Sequence, residues 1–430
     1  MNYCARCLYP ENTKPTLILD NQFICSGCRY HESKSKIQID WNEREKIFSK
    51  IIDEAKNEKI KRGNNYDCII PVSGGKDSYY QVYVIKEVYG LNPLLVTYNH
   101  GFNMNSGVSN LKNLVDKSGC DLLRVSTSIK TSKKLAKVML KEVGDLTWHY
   151  HAGINTVPIK IAVEKNIPFI IWGEHGFAEL TGQVSFEDFI EFTKWKRKEH
   201  DMRGYEPEDV VKISNGQLSL NEMDPFIYPS DEKIEEVDLR GIYMGNFFKW
   251  DANVIIKKMI DIWGFKPITY KRDRTFNLHA KIDDHANDVH DYLKYLKFGY
   301  GRATDDASTE IRIGRLSREE GVEMVKEYDS REPESLDAYL EFLGISKDEF
   351  YSYVDNMRDP SIWEKISGKW EPKGSISNHI INDFTEKARI KQLKERVLSK
   401  ENRNLYFNDN LPPEKTGDPS FDIKTNYFTS

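Results

Sequence analysis

Residues 66–78 read YDCIIPVSGGKDS, an apolar run that leaves through two glycines, a lysine and an aspartate flanked by serines. YDCIIPV has the character of a buried strand, and the spacing from Asp77 to Tyr89 predicts a helix stopped by Gly90. The glycines therefore fall in a strand-to-helix turn. At such a turn backbone amides can approach an anion, the helix points its positive end at it, and Lys76 adds a full charge. Ser73 and Ser78 can add hydroxyl donors. The candidate phosphate contacts are Pro71, Val72, Ser73, Gly74, Gly75, Lys76, Asp77 and Ser78. The segment lacks the four residues that a Walker loop places between glycine and Gly-Lys-[Ser/Thr], which disfavours γ-phosphoryl transfer of that class.

The alternation continues outward. PLLVTYN (93–99) and DLLRVST (121–127) predict strands, with a helix from Ser106 to Lys117 between them. Helices follow around 131–142 and 153–165, then the strand PFIIWG (168–173). Strands alternating with helices of this length mean an α/β fold with a doubly wound parallel sheet, with ligands at the carboxyl ends of the strands.

Composition narrows the partners. The chain has 430 residues, 39% hydrophobic and 12% aromatic, enough for two or three packed domains. Lysine and arginine total 62 against 67 acidic residues, and the net charge of −5 supplies no global attraction for a polyanion, so nucleic acid is a disfavoured partner. Apolar stretches fall far short of the ~20 residues that span a bilayer, and the polar start MNYCARCLYPEN has no apolar signal core, so the expected location is the cytoplasm, with no membrane partner.

Four of the six cysteines form two pairs, Cys4-x-x-Cys7 and Cys25-x-x-Cys28. In a reducing compartment this spacing points to a zinc ribbon, and four thiolates leave no open position for water, so the metal would be structural. About 35 residues cannot bury a core without such a staple. The expected organisation is a zinc ribbon at 1–39, a linker helix at 40–62, the phosphate-loop domain at 63–310 with an insertion near 176–260, a helical region at 311–410 and a polar tail at 411–430. Asp40 with Glu43 predicts the start of the linker helix and Gly63 its end.

Further candidates come from the middle of the chain. His149 and His151, expected between two helices, could contact sugar hydroxyls or act as acid and base. Lys194 and Arg203, with Lys196 and Arg197, could meet an anionic group from a lid-like insertion. KFGYGR (297–302) reads as a flexible loop in which Tyr300 and Arg302 could fix a carboxylate or phosphate. Asp284, Asp288 and Asp291 share a predicted helix face, which more often means solvated surface than metal.

SGGKDS matches the signature of the PP-loop ATP pyrophosphatases, so the fold implied is of the PP-loop (HUP-like) type. The resemblance implies that Thr97, Tyr98 and Asn99 hold adenine and ribose, that Gly173, Glu174 and His175 close over the phosphates, and that Asp77 and Glu174 hold Mg2+. Together with YCARCLYPENTKP, ICSGCRYHE, WHYHAGI, EFTKWKRKEHDMRGYEPED and YLKYLKFGYGRATDDAS, the chain resembles the N-acetyl sugar amidotransferases of bacterial surface-glycan synthesis, including the pseudaminic and legionaminic acid pathways and O-antigen mannuronic acid derivatives. That family converts an acetamido group into an acetamidino group with ATP and ammonia. The resemblance implies Lys76, Asp77, Glu174 and His175 as catalytic residues and an N-acetyl sugar as substrate. Asn2 stands where an amino-terminal glutaminase would need cysteine, so ammonia is expected from a separate glutaminase subunit, with or without a cyclase-like companion. The alternatives are a PP-loop tRNA thiolase, which would need sulfur-carrying cysteines beyond Cys68 and Cys120, and a nucleotide-sensing module without turnover.

Overall fold

The structure is a computed structural model that describes residues 2–14, 17–36, 39–182, 189–374 and 376. At its centre is a five-stranded parallel sheet: β1 (Cys68–Pro71), β2 (Pro93–Asn99), β3 (Leu122–Ser126), β4 (Phe169–Trp172) and β5 (Arg240–Tyr243), in the order β3-β2-β1-β4-β5. The chain moves outward from β1 in one direction through β2 and β3, then returns to place β4 on its other side. The order reverses between β1 and β4, where an open α/β sheet forms its ligand crevice.

Alternating residues along the strands build the two faces. Cys68, Ile70, Leu95 and Ile171 join one core with Phe48, Ile51, Ile52 and Ala55 of the helix Trp41–Arg62. Ile69, Leu94, Val96 and Ile170 join the other with Leu135, Met139, Trp148 and Phe226. The helix Trp41–Arg62 begins at Asp40, whose carboxylate accepts from the amides of Asn42 and Glu43, and ends at Gly63 in the left-handed conformation. It is more than a linker, because its apolar stripe covers one face of the sheet.

Five expectations are corrected. β5 lies inside the segment read as an insertion at 176–260; its four residues RGIY are too short to show a period, and pairing with β4 along its whole length makes them a strand. His149 and His151 lie within the first turn of the helix Trp148–Glu164, earlier than the predicted start, because that turn packs into the core through Trp148. KFGYGR is a tight corner between the helices Ala286–Phe298 and Arg302–Arg312. The boundary expected at 310 therefore falls inside a helix. An antiparallel hairpin, β6 (Trp363–Ile366) and β7 (Lys369–Pro372), also interrupts the region expected to be helical. The tail expected at 411–430 lies outside the described residues.

Candidate active site

A cleft of ≈ 260 Å³ opens at the carboxyl ends of β1, β2 and β4. Pro71, Val72, Ser73, Gly74, Ser78, Thr97, Tyr98, Asn99 and Gly173 all line it. The phosphate loop is shaped by its own hydroxyls. Ser78 Oγ accepts from the Ser73 amide at 2.8 Å, and Ser73 Oγ accepts from the Gly75 amide at 3.1 Å. Each hydroxyl keeps its proton to donate, and both serines line the cleft. The helix Lys76–Tyr83 follows with no side-chain cap on its first turn, so its amino end is chemically available to an anion.

Close approach explains the first glycine. A Cβ on Gly74 would lie 2.1 Å from the carbonyl oxygen of Gly107, and a Cβ on Gly107 would lie 2.5 Å from the Cα of Asp283. Three backbone segments are thus stacked without side chains between them. The last is fixed by hydrogen bonds from the Met104 amide to the Asp283 carbonyl (3.0 Å) and from Ser106 Oγ to the Ile282 carbonyl (2.8 Å). This brings Asp283 to the cleft from a part of the chain about 210 residues beyond the loop.

Lys76 Nζ is 2.7 Å from Asp77 Oδ2, and Trp250 Nε1 donates to Asp77 Oδ1 at 3.2 Å. Behind them His279 is buried; burial, then the positive charge of Lys76 and Arg272, keeps its imidazole neutral. Tyr98 packs its ring on Gly153, where a Cβ would come within 2.4 Å, and its hydroxyl pairs with Thr127 Oγ1 at 2.9 Å. Asn99 Oδ1 accepts from the Gly101 amide (3.1 Å) and Asn103 Nδ2 (2.8 Å), which holds the turn after β2. On the far wall Gly173 follows β4; Glu174 is exposed, the His175 ring meets Tyr243 edge-on at 4.8 Å, and neither of these two lines the cleft, nor do Gly75, Lys76 and Asp77 of the loop.

The other candidates divide. His149 is buried, and burial lowers its pKa to about 3, with His100 adding to the effect. His151 is likewise held neutral by burial and by Arg203. The His151 ring lies 5.8 Å from His290, and Thr147 Oγ1 is 2.7 Å from His290 Nδ1. Arg203 Nε lies 3.3 Å from Asp145 Oδ2 in the same group. Arg302 instead faces Asp291 at 3.2 Å, Asp305 at 3.6 Å and Asp306 at 3.9 Å. Tyr300 is buried against the amino-terminal lobe: its hydroxyl accepts from the Lys14 amide at 2.8 Å and its ring meets Tyr9 edge-on. Lys194 lines a separate groove with Phe192 and Tyr228 and pairs with Asp231 at 2.8 Å. Lys196 pairs with Asp201 and Arg197 with Glu206, each at 2.7 Å.

The four cysteines of the amino-terminal lobe are buried, and their sulfurs lie within 4.8 Å of one another. Cys4 to Cys28 is 3.8 Å and Cys7 to Cys25 is 3.6 Å, close to the ~3.8 Å edge that Zn–S bonds of about 2.3 Å give a tetrahedron. Amides of Arg6, Cys7 and Cys25 point at Cys4 Sγ at 3.2 to 3.4 Å. Arg312 Nη2 lies 3.4 Å from Cys25 Sγ, while its Nη1 donates to the Leu180 carbonyl at 2.8 Å. The donor set fits a structural zinc, and one guanidinium ties it to the segment after β4.

Sequence reading missed His100, Asn103, Gly107 and Asp283 as cleft residues. His100 and Asn103 were within reach, because they follow directly on a strand end. Gly107 and Asp283 carry no local signal, since their role is set by a contact between distant segments.

Residues 268–375, a quarter of the chain, match the family model described as LPS biosynthesis protein WbpG-like, C-terminal domain. This supports a role in surface-glycan biosynthesis, and the matched segment includes Lys281, Asp283 and Arg302. Among curated proteins, an uncharacterized protein of Methanocaldococcus jannaschii is 28% identical over 120 residues, 28% of this chain and 41% of that relative. The aligned part thus spans about two fifths of that relative's length. Among the described residues no helix is long and apolar enough to cross a membrane.

Proposed function

We propose that the chain is an ATP-dependent amidotransferase. It adenylylates the acetamido oxygen of an N-acetyl sugar and accepts ammonia from a separate glutaminase to form an acetamidino sugar, AMP and pyrophosphate. The observation that carries this reading is the glycine turn at the switch point of a parallel sheet, whose Ser73, Gly74 and Ser78 line one cleft at the start of a helix without a side-chain cap.

The chemistry asks for such a site. An amide carbonyl resists ammonia because resonance stabilises it and its oxygen leaves poorly. Transfer of the adenylyl group makes that oxygen a leaving group, and pyrophosphate departs from the α-phosphorus. Preorganised loop amides and Lys76 stabilise the charge that accumulates as it leaves. Thr97, Tyr98 and Asn99 would receive the nucleoside, and Gly173 to His175 would close over the phosphates. Asp77 and Glu174 would hold the Mg2+ that neutralises the departing group. The rival sulfur-transfer reading is weakened because Cys68 and Cys120 are both buried in the sheet core, away from the cleft lining.

The test is turnover with ATP, magnesium, an ammonium salt and a panel of free and nucleotide-linked N-acetylhexosamines. The expected product is AMP that appears only with the sugar, whose mass falls by about 1 Da as oxygen is exchanged for NH. AMP that appears only with tRNA and a sulfur donor would contradict the reading.

A further inference from the structure

His100 follows β2 and lines the cleft beside Ser73, Gly74 and Asp283. Its ring lies flat on Tyr150, with centroids 4.4 Å apart and planes 9° from parallel. Its Nδ1 is 3.7 Å from Asp284 Oδ2. The other oxygen of Asp284 accepts from the Tyr150 hydroxyl at 3.1 Å and from the Ala286 amide at 2.8 Å. Asp284 is completely buried, so its position is fixed from three sides. The Phe102 carbonyl accepts from the His285 amide at 3.0 Å, which anchors this carboxyl to the turn that carries His100. The ring is thus held by its stack on Tyr150, with a buried carboxyl behind it at a distance just beyond a hydrogen bond, and it lines the cleft as a base must.

His149 and His151 flank Tyr150 on the same helix, but neither lines the cleft. His100 does, from the end of a strand. The groups that bear on its charge are Asp283, Lys281, Asp284 and the buried His149. Burial lowers its proton affinity and Lys281 adds to this, while Asp283 opposes it, so the imidazole is neutral near pH 7 and offers a lone pair.

We propose that His100, oriented by Asp284 and Tyr150, is the proton acceptor for the ammonia that displaces AMP. This rests on the adenylylation reading above. In the step, the ammonia lone pair forms a C–N bond at the carbon of the N-protonated adenylyl imidate. One proton of the resulting ammonium passes to the His100 imidazole. The C–O bond to the nucleotide then breaks, its electron pair leaves on AMP, and the positive charge stays on the amidinium. The Asp283 charge, which raises the proton affinity of His100, supports the imidazolium for the lifetime of that proton.

Two half-reactions separate this proposal from the reading beneath it. Exchange of labelled pyrophosphate into ATP, measured without ammonia and with the N-acetylhexosamine of the panel that supports it, reports adenylylation alone. Amidine formation with ammonium reports both steps. His100→Gln should keep the exchange within a few-fold, which also shows that the variant is folded, and should lower amidine formation about 10²–10⁴-fold. Asp284→Asn, which disturbs the hydroxyl of Tyr150, the ring stacked on His100, should lower amidine formation and leave the exchange in place. Unchanged amidine formation in His100→Gln would overturn the proposal, as would parallel loss of both half-reactions in His100→Gln and His100→Asn. If no sugar supports exchange in the unaltered protein, the adenylylation reading falls and takes this proposal with it.

Discussion

The phosphate loop and the ion network that joins Arg272 to residues 288–306 both gather charge, with opposite internal balance. At the loop the Ser73 and Gly75 amides are taken by loop hydroxyls and Lys76 by Asp77, which leaves the two hydroxyl protons and the uncapped first turn of the following helix as donors. In the network almost every charge is already answered: Arg302 by Asp291, Asp305 and Asp306, Lys294 by Asp305, and Arg272 by Asp288. A site that has donors to spare can take an anionic ligand. A site whose ions satisfy one another works as scaffold, here fixing the corner at Gly299–Gly301 and the docking of the cysteine lobe through the Tyr9 hydroxyl on Asp305. Charge density alone does not distinguish them; the partners do.

The contrast is sharpest if scaffold and ligand site fail differently when broken. Burial alone would raise the Asp291 carboxyl, but Arg302, followed by His290 and Lys281, holds it below the usual carboxylate range. Asp291→Asn leaves Arg302 without its nearest carboxylate and should lower unfolding stability by about 3–5 kcal/mol in a denaturant titration, with nucleotide affinity little changed at temperatures where the variant is folded. Lys76→Ala should do the reverse. AMP release should fall about 10²–10³-fold, roughly 2.7–4 kcal/mol of transition-state stabilisation, while zinc content and melting behaviour stay near those of the unaltered chain.

Smaller effects test the joints between the two regions. Gly74→Ala places a methyl against the Gly107 carbonyl and must displace one of three stacked backbones, which costs about 1–3 kcal/mol and should weaken ATP binding measured by calorimetry. Arg312→Met removes the guanidinium shared by the Cys25 thiolate and the Leu180 carbonyl, and should speed zinc release to a chelator by roughly 10-fold.

The last is a pH effect. His149 is held at about 3 and His285 and His290 at about 4, all by burial first. An unfolded imidazole takes a proton below about 6.5 while these do not, so the unfolded state binds more protons and stability falls as pH drops from about 6.5 toward 4. Denaturant midpoints should decline over that interval, and His290→Gln should make the decline shallower. A flat profile there would show that these imidazoles are accessible to protons in the folded state.

Legibility in sequence followed the same division. The strand-turn-helix at 66–83, the strands at 93 and 168 and the paired cysteines carry their pattern in neighbouring residues, so the strand ends that border the cleft and the cysteine lobe were legible locally. Tyr300 and Arg302 were read as a flexible anion contact because glycines flank the tyrosine. What decides their role is Lys14, Asp291 and Asp305, which no local pattern connects to them. β5 was hidden for a similar reason, since four residues become a strand only through pairing with β4. Asp283 was legible as an acidic residue and not as part of the cleft, because the contact that places it runs to the turn after β2.

The central claim concerns where one oxygen atom goes. The measurement that tests it most directly starts from a substrate sugar carrying heavy oxygen in its acetamido group, turned over with ATP and ammonium, with the AMP then weighed by mass spectrometry. Adenylylation of that oxygen predicts that each AMP released carries one heavy atom in its phosphate. AMP of ordinary mass, formed alongside an acetamidino product, would contradict it.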